Sequence, residues 1–170
     1  MSSYPIKQFK KIICNGIDLR EVRVVKGTSS PVTVWGQTQV DILASLSSYK
    51  EYKQGNRLYT HTSTQFRGYY SSPSTNYGCC YSISTFDISN IETIQIICSQ
   101  VEGTGNKFGI YTGTAKEQGY SITNMEKPIT LSVGTLSIDV SSLSGQYGIV
   151  MTNGGSTNSA TITSIIGIYK

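Results

Sequence analysis

The sequence predicts an all-β protein: a small N-terminal β module over residues 1–36, then a β-sandwich over residues 37–170. Three observations predict it. Ser and Thr together make up about a quarter of the chain, Gly and Tyr contribute 17 and 12 residues, and charged residues only 14%. Strong helix formers are therefore scarce, and strand and turn formers dominate. Eight or nine short apolar runs of strand character recur between clusters of Gly, Asn, Ser and Pro, which is the spacing of a sandwich or barrel. No amphipathic segment of convincing helical length interrupts them. A second part of about 130 residues can bury roughly two thirds of its unfolded surface and needs no staples to fold.

Residues 1–9 form a loose arm with Pro5 near its start. Lys10–Cys14 and Ile17–Val25 are two strands about Asn15-Gly16, the strongest short hairpin signal because both turn residues must take φ > 0. Residues 26–31 make a turn, and Val32-Thr33-Val34-Trp35 is a third strand closed by Gly36. Val22 and Val24 alternate with Arg23, giving one apolar and one charged face. Such a three-stranded sheet buries too little to stand alone, so it packs against the rest of the chain or a neighbouring subunit. Its candidate assembly residues are Ile13, Arg20, Val22, Arg23, Val24, Val34 and Trp35.

Thr38–Ser48 suits a strand or a short helix, with the strand preferred, and Tyr49–Asn56 is polar enough for a turn. Further strands are expected at Arg57–Gln65, Cys79–Phe86, Thr93–Gln100, Lys107–Thr112, Ile129–Val133, Thr135–Val140, Gln146–Thr152 and Ala160–Tyr169. Residues 103–109 read as a hairpin loop, since they lack the Gly and Lys/Ser spacing of a phosphate-binding loop. Phe86–Ile96 and Thr135–Ile149 share one form: strand, Asp-x-Ser, an apolar residue, a short turn, the next strand. Asp87 and Asp139 are expected to bond the backbone N–H groups that follow them, with Ile91 and Leu143 plugging the ends of the core. Strand pairs joined in this way recur in jelly-roll sandwiches.

Net charge is +4 and uneven. Residues 1–70 hold ten Lys/Arg against four Asp/Glu, and residues 71–170 hold four against six. The excess is too small and scattered for the clustered basic face of a nucleic-acid-binding domain. The N-terminal segment lacks the apolar core of a signal peptide, and no run approaches the ~18 apolar residues of a membrane span. The expected place of synthesis is a cytoplasm without export by the standard route, and no membrane insertion is expected.

Cys14, Cys79, Cys80 and Cys98 show no CxxC spacing, and His61 is the sole histidine. Neither a zinc site nor any cofactor is expected. In the strand YGCCYSIS one of Cys79 and Cys80 should point inward as a small hydrophobe and the other outward. A Ser-His-Asp hydrolase would need His61 as base, and no Gly-x-Ser-x-Gly elbow accompanies it. The ten acids form no evident pair for glycoside hydrolysis. No catalytic residue is expected.

Binding is better supported. RLYTHTSTQFRGYYSSPSTNYGCCY (57–81) interleaves six aromatic residues with Ser, Thr, Asn and Arg67. Tyr offers a large rigid contact surface at low entropic cost, and Ser and Asn supply adaptable hydrogen bonds. Aromatic faces suit the C–H faces of sugars, and their polar tips suit hydroxyls. The loop 67–78 supplies the candidate ligand-binding residues Arg67, Tyr69, Tyr70, Asn76 and Tyr77. About half of the tyrosines in this stretch serve equally well as ordinary strand residues.

FDISNIETIQI, KFGIYTGTA and TLSIDVSSLSGQYGIVM resemble the matching strands of carbohydrate-binding-module-like β-sandwiches, over roughly residues 40–170. The resemblance implies a jelly-roll-like fold. Asn15-Gly16, Leu19-Arg20-Glu21-Val22 and Val32-Thr33-Val34-Trp35-Gly36 resemble a short module that opens many tail, baseplate and minor virion proteins of phages and prophages of Gram-positive bacteria; the linker Lys26–Pro31 is longer than the usual second turn. This second resemblance implies a non-enzymatic virion protein, on the tail, baseplate or capsid surface, whose N-terminal module docks on the particle while the sandwich is displayed. The implied partners are other virion proteins, further copies of the same chain and a host-surface carbohydrate. Two alternatives stand beside it: a carbohydrate-binding module outside any virion, and an architectural decoration protein without ligand.

Overall fold

The computed structural model describes residues 12–14, 17–19, 21–24, 32–36, 39–71, 77–155 and 157–170, with side chains described from Gln39 onward. The chain divides into two compact units, Met1–Val40 and Asp41–Lys170.

In the first unit, β1 (Ile12–Cys14) pairs antiparallel with β2 (Ile17–Leu19), matching Ile13 to Asp18 and Cys14 to Ile17. The Asn15-Gly16 turn between them lies outside the described residues, as do the arm 1–9, Arg20 and the linker 26–31. Next, β3 (Glu21–Val24) pairs with β4 (Val32–Gly36), matching Val22 to Trp35 and, after a register shift, Arg23 to Thr33 and Val24 to Val32. Val34 is the extra residue at that shift, as in a β-bulge. Among the described residues the expected three strands are thus four, in two antiparallel pairs. Within the expected strand Ile17–Val25, β2 pairs back to β1 and β3 forward to β4.

The second unit begins where β5 (Gln39–Asp41) meets α1 (Ile42–Ser45). Asp41 caps that single turn by accepting from the Ala44 N–H at 2.9 Å, an ordinary N-cap bond. Ile42 and Leu43 are buried, so the segment preferred as strand splits into strand and helical turn. Twelve strands follow in order, with one two-stranded hairpin among them: β6 (Tyr49–Lys53), β7 (Arg57–Thr62), β8 (Gln65–Tyr70), β9 (Gly78–Ser82), β10 (Phe86–Asp87), β11 (Ile91–Glu102), β12 (Asn106–Thr112), β13 (Glu117–Gln118), β14 (Ser121–Ile122), β15 (Met125–Thr130), β16 (Gly134–Asp139) and β17 (Gln146–Asn153). The last strand, β18, is Ser159–Tyr169. The expected turn at 49–56 is mostly strand β6. As an edge strand it needs no apolar run, and Lys50, Glu51 and Lys53 suit an edge.

The front sheet runs β15-β12-β17-β9-β6, with β10 also on β17, and the back sheet runs β16-β11-β18-β8-β7. The pairings β8–β18, β9–β17, β11–β16 and β12–β15 are the rungs of one long antiparallel ribbon. The ribbon is rolled up so that β11 also pairs with β18 and β12 with β17. Successive rungs alternate between back and front sheets, which makes the fold a jelly roll. Residues 103–105, expected as a hairpin loop, instead carry the chain from the back sheet to the front, because β11 and β12 belong to different sheets.

The sheets meet face to face through Phe66, Ile94, Ile96, Ile162 and Ile165 of the back sheet and Cys80, Phe108, Ile110, Ile149 and Met151 of the front, all fully buried. The Asp-x-Ser corners form as expected: Ser89 N–H donates to Asp87 Oδ1 and Ser141 N–H to Asp139 Oδ1, each at 2.9 Å. The corners also bond to each other, Gly145 N–H to Ser89 Oγ and Ile88 N–H to the Gly145 carbonyl, both at 2.9 Å. Ile88, Ile91 and Val140 close the core there; Leu143, expected as the second plug, is only half-buried.

Candidate functional site

Strand alternation sends Lys50, Tyr52, Cys79, Tyr81, Val150, Thr152, Lys107, Gly109 and Tyr111 to the outer face of the front sheet. The register aligns Lys50, Tyr81, Val150 and Gly109 in one transverse row and Tyr52, Cys79, Thr152 and Lys107 in another. Part of this outer face is covered. Cys79, Tyr81, Tyr111, Val150 and Ile122 form a second small core, with Tyr52, Ala115 and Met125 packed against it. The cover is the segment carrying the β13–β14 hairpin. Cys80 points into the main core and Cys79 to the outer face, as the alternation predicts, but the hairpin covers Cys79, so both vicinal cysteines are fully buried.

Local chemistry builds that hairpin. Gly119 and Tyr120 both have positive φ, 56° and 60°, the two-residue turn whose twist matches its flanking strands. Gly adopts this region freely, whereas for Tyr it is strained. Asn124 ties the base together, donating to the Thr112 and Thr114 carbonyls at 3.1 and 3.2 Å and accepting from Lys116 N–H at 2.9 Å. Glu117 fastens the hairpin to the sheet: it accepts from Tyr81 O–H at 2.7 Å and pairs with Lys50 Nζ at 3.1 Å. The Tyr81 hydroxyl bond holds the Glu117 carboxyl below its usual range, aided by Lys50.

Two clefts remain beside the hairpin. The first, about 620 Å³, lies at its base and is lined by Lys50, Tyr81, Ile83, Tyr111, Thr114 and Glu117 among others. Its two tyrosines are buried, 6% and 3% exposed, and show little ring surface to a ligand. The second, about 340 Å³, lies under the tip. Its walls are Tyr77, Tyr120, Lys107, Ser121, Met125 and Thr152, and Gly78, Gly105 and Gly154 contribute bare backbone. Both volumes fall in the roughly 300–1,000 Å³ range of ordinary ligand sites. Tyr77 is 44% exposed. A Cβ on Gly154 would stand 3.8 Å from the Tyr77 ring, so ring and glycine backbone are neighbours. Tyr120 rests against Tyr52 with centroids 5.2 Å apart.

A polar layer inside the sandwich sets the loops that border this cleft. The fully buried Arg57 donates to the Asn158 and Gly155 carbonyls, the latter at 3.0 Å. Asn153 Nδ2 donates to Asn106 Oδ1 at 2.6 Å, and Asn106 Nδ2 to the Glu102 carbonyl at 2.7 Å. Gly154 N–H then reaches the Gly105 carbonyl at 3.0 Å. Gly68 is required beneath: a Cβ there would lie 2.2 Å from Asn153 Oδ1.

The expected ligand-binding residues do not form one site. Arg67 and Tyr69 lie on the outer face of the back sheet, the Arg67 guanidinium 4.4 Å above the Tyr69 ring, a cation–π pair. Tyr70 is the next residue along β8, alternates to the other face and is matched across strands to Arg57. Residues 67–70 are thus strand, not loop. Asn76 lies outside the described residues. Of the described candidates, Tyr77 lines the cleft under the hairpin tip, and its companions Tyr120, Lys107 and Thr152 were not anticipated. A Gly-Tyr pair between two short polar strands was the available signal for Tyr120. Of the assembly residues, Ile13, Val22, Arg23, Val24, Val34 and Trp35 lie on the paired strands β1, β3 and β4. His61 is exposed on β7 and its ring stacks on Tyr49 at 4.3 Å. Among the described residues, no group of three or more His, Cys, Asp or Glu side chains is placed to hold a metal ion, and no helix is long and apolar enough to cross a membrane.

No family model and no curated protein matches this sequence. Among solved structures, the chain is similar to a low-affinity xylan-binding module, CBM86, from the xylanolytic gut symbiont Roseburia intestinalis. Identity is 11%, the match covers 73% of this chain and 97% of that one, and the TM-score is 0.42. Strand order and register, not this likeness, define the jelly roll described above.

Proposed function

We propose that this chain is a non-enzymatic glycan-binding protein of a phage particle: the jelly roll holds a carbohydrate in the cleft under the hairpin tip, and the unit Met1–Val40 attaches the chain to the particle. The observation that carries the binding half is that Tyr77 and Tyr120 both line this cleft. One is a large aromatic residue left substantially exposed, the other an aromatic residue kept in a backbone conformation that disfavours it. Strain of that kind persists where the position of the side chain matters. The surrounding Ser121 and Thr152 hydroxyls and glycine backbone suit sugar hydroxyls, and the rings suit sugar C–H faces. The attachment half rests on the resemblance of the Asn-Gly to Val-Trp-Gly segment to phage virion modules. Among the described residues that line the two clefts, Glu117 is the one carboxylate, and binding without turnover is the proposed activity.

A glycan array of host-wall and mucosal polysaccharides tests the binding half. Retention by the wild type, lost in Tyr77→Ala and Tyr120→Gly and kept in Tyr69→Ala, is the expected pattern. Absence of any retained glycan, or equal loss in Tyr69→Ala, overturns it.

A further inference from the structure

Lysines on the front sheet differ in how their charge is met. Lys50 pairs with Glu117 at 3.1 Å, and Lys53 pairs with Glu51. Lys107 has no such partner among the described residues. Its cross-strand neighbours are Thr130 on β15 and Thr152 on β17, both uncharged. It is also the one charged side chain among the described residues that line the cleft under the hairpin tip; the others are aromatic, hydroxyl-bearing, methionine, asparagine or glycine. Lys107 is exposed, and an ammonium lining a cleft that has no other charged side chain favours an anionic ligand there over a neutral one, most strongly at low salt. A neutral sugar leaves that charge unused, whereas a sugar carrying a carboxylate or phosphate gains a charge-assisted hydrogen bond from it.

We propose that the Tyr77–Tyr120 cleft selects an anionic unit of a glycan, with Lys107 holding its negative group, Tyr77 and Tyr120 holding its ring and Thr152 its hydroxyls. This rests on the carbohydrate-binding reading of the same cleft and names the class of sugar it takes. The negative group could belong to a uronic acid or to a phosphate-linked wall polymer, and the two share the chemistry that Lys107 recognises.

The test is calorimetric titration of the full chain with three probes: neutral galactotriose, trigalacturonate and a short poly(glycerol phosphate). At least one charged probe should bind about fivefold or more tightly than galactotriose at low salt, and the advantage should shrink as salt is raised. Lys107→Gln should bring the charged probe down to the neutral level, while Lys170→Gln, whose ammonium donates to the Ser89 carbonyl at 3.1 Å away from the cleft, should leave it unchanged. Circular dichroism of both variants guards against a folding defect. Which charged probe responds identifies the source of the anion. Equal binding of galactotriose and the charged probes, unaffected by Lys107→Gln, overturns the charge selection and leaves glycan binding standing. Failure of all three probes together with an empty glycan array overturns both.

Discussion

Glu117 stands on the hairpin and makes its strongest bonds to the sheet beneath, to the Tyr81 hydroxyl and the Lys50 ammonium. Both partners favour the carboxylate, the Tyr81 bond more than Lys50, so the folded protein holds this acid below its ordinary value of 4.5. A carboxyl depressed on folding adds stability that is fully present above its unfolded value and is lost as pH falls through the lower folded value. The melting temperature should therefore decline as pH drops below about 4.5, and Asp139, held down by its bonds to Ser141, contributes in the same direction. Glu117→Gln should melt below the wild type at pH 7, with the gap closing in acid as the wild type loses its carboxylate. Melting curves from pH 7 to pH 3 decide it; a gap that stays constant over that range shows that Glu117 does not act through its charge. The two acids differ in how visible they were. Asp139 bonds a backbone N–H two residues away, a relation written within three letters of sequence. Glu117 bonds a tyrosine 36 positions back, and nothing local announces it.

At the scale of elements, the β13–β14 hairpin explains most of what was misplaced from sequence. Without it, alternation in YGCCYSIS gives one inward and one outward cysteine. With it, Ile122 covers Cys79, and burial pushes that thiol up to about 12 and Cys80 higher still. Ile122→Ala should cost about 2–5 kcal/mol, the usual range for truncating a buried isoleucine. It should also open Cys79 to a thiol reagent at pH 8 while Cys80, between the sheets, stays protected. A Cys14→Ser background with mass-spectrometric mapping of the labelled site reads this directly. Labelling of Cys80 before Cys79 would mean that the hairpin is not the cover. Elements specified by neighbours in the chain were legible: the strand pair flanking Asn15-Gly16, the two Asp-x-Ser corners, and the long apolar strands β11, β17 and β18. Elements specified by position in the fold were not. β6 reads as a polar turn because an edge strand tolerates charge, and residues 67–70 read as loop because a strand with Arg67 and Tyr69 outward resembles one. The proposed ligand cleft was visible only through Tyr77, since Lys107, Tyr120 and Thr152 come from strands and a turn that meet only after the ribbon has rolled up.

At the scale of the molecule, the proposed function assigns different tasks to the rolled ribbon and to the unit Met1–Val40. The ribbon's outermost described rung joins β8 to β18, matching Gly68 to Ala160, and every further rung lies inside it. Such nesting makes the jelly roll dependent on pairings distant in sequence, so it should fold as one cooperative body on the millisecond-to-second scale of non-local β proteins. Each of its rungs lies within residues 65–169, and β5 (Gln39–Asp41) adds to β18. A chain of residues 39–170 should therefore give a β-type circular dichroism spectrum, a single unfolding transition and undiminished glycan retention. On the proposed function it should also fail to join the particle, because it lacks β1 to β4. Expressing tagged full-length and shortened chains during phage assembly, then probing purified particles for the tag, separates the two tasks. Shortened chain that is folded and glycan-binding yet absent from particles supports a division into anchor and displayed binder. Shortened chain incorporated as efficiently as the full chain places the docking surface on the jelly roll and removes the anchor role from the N-terminal unit. Shortened chain that fails to fold means that the hairpins of residues 12–36 belong to the stability of the whole molecule rather than to its attachment.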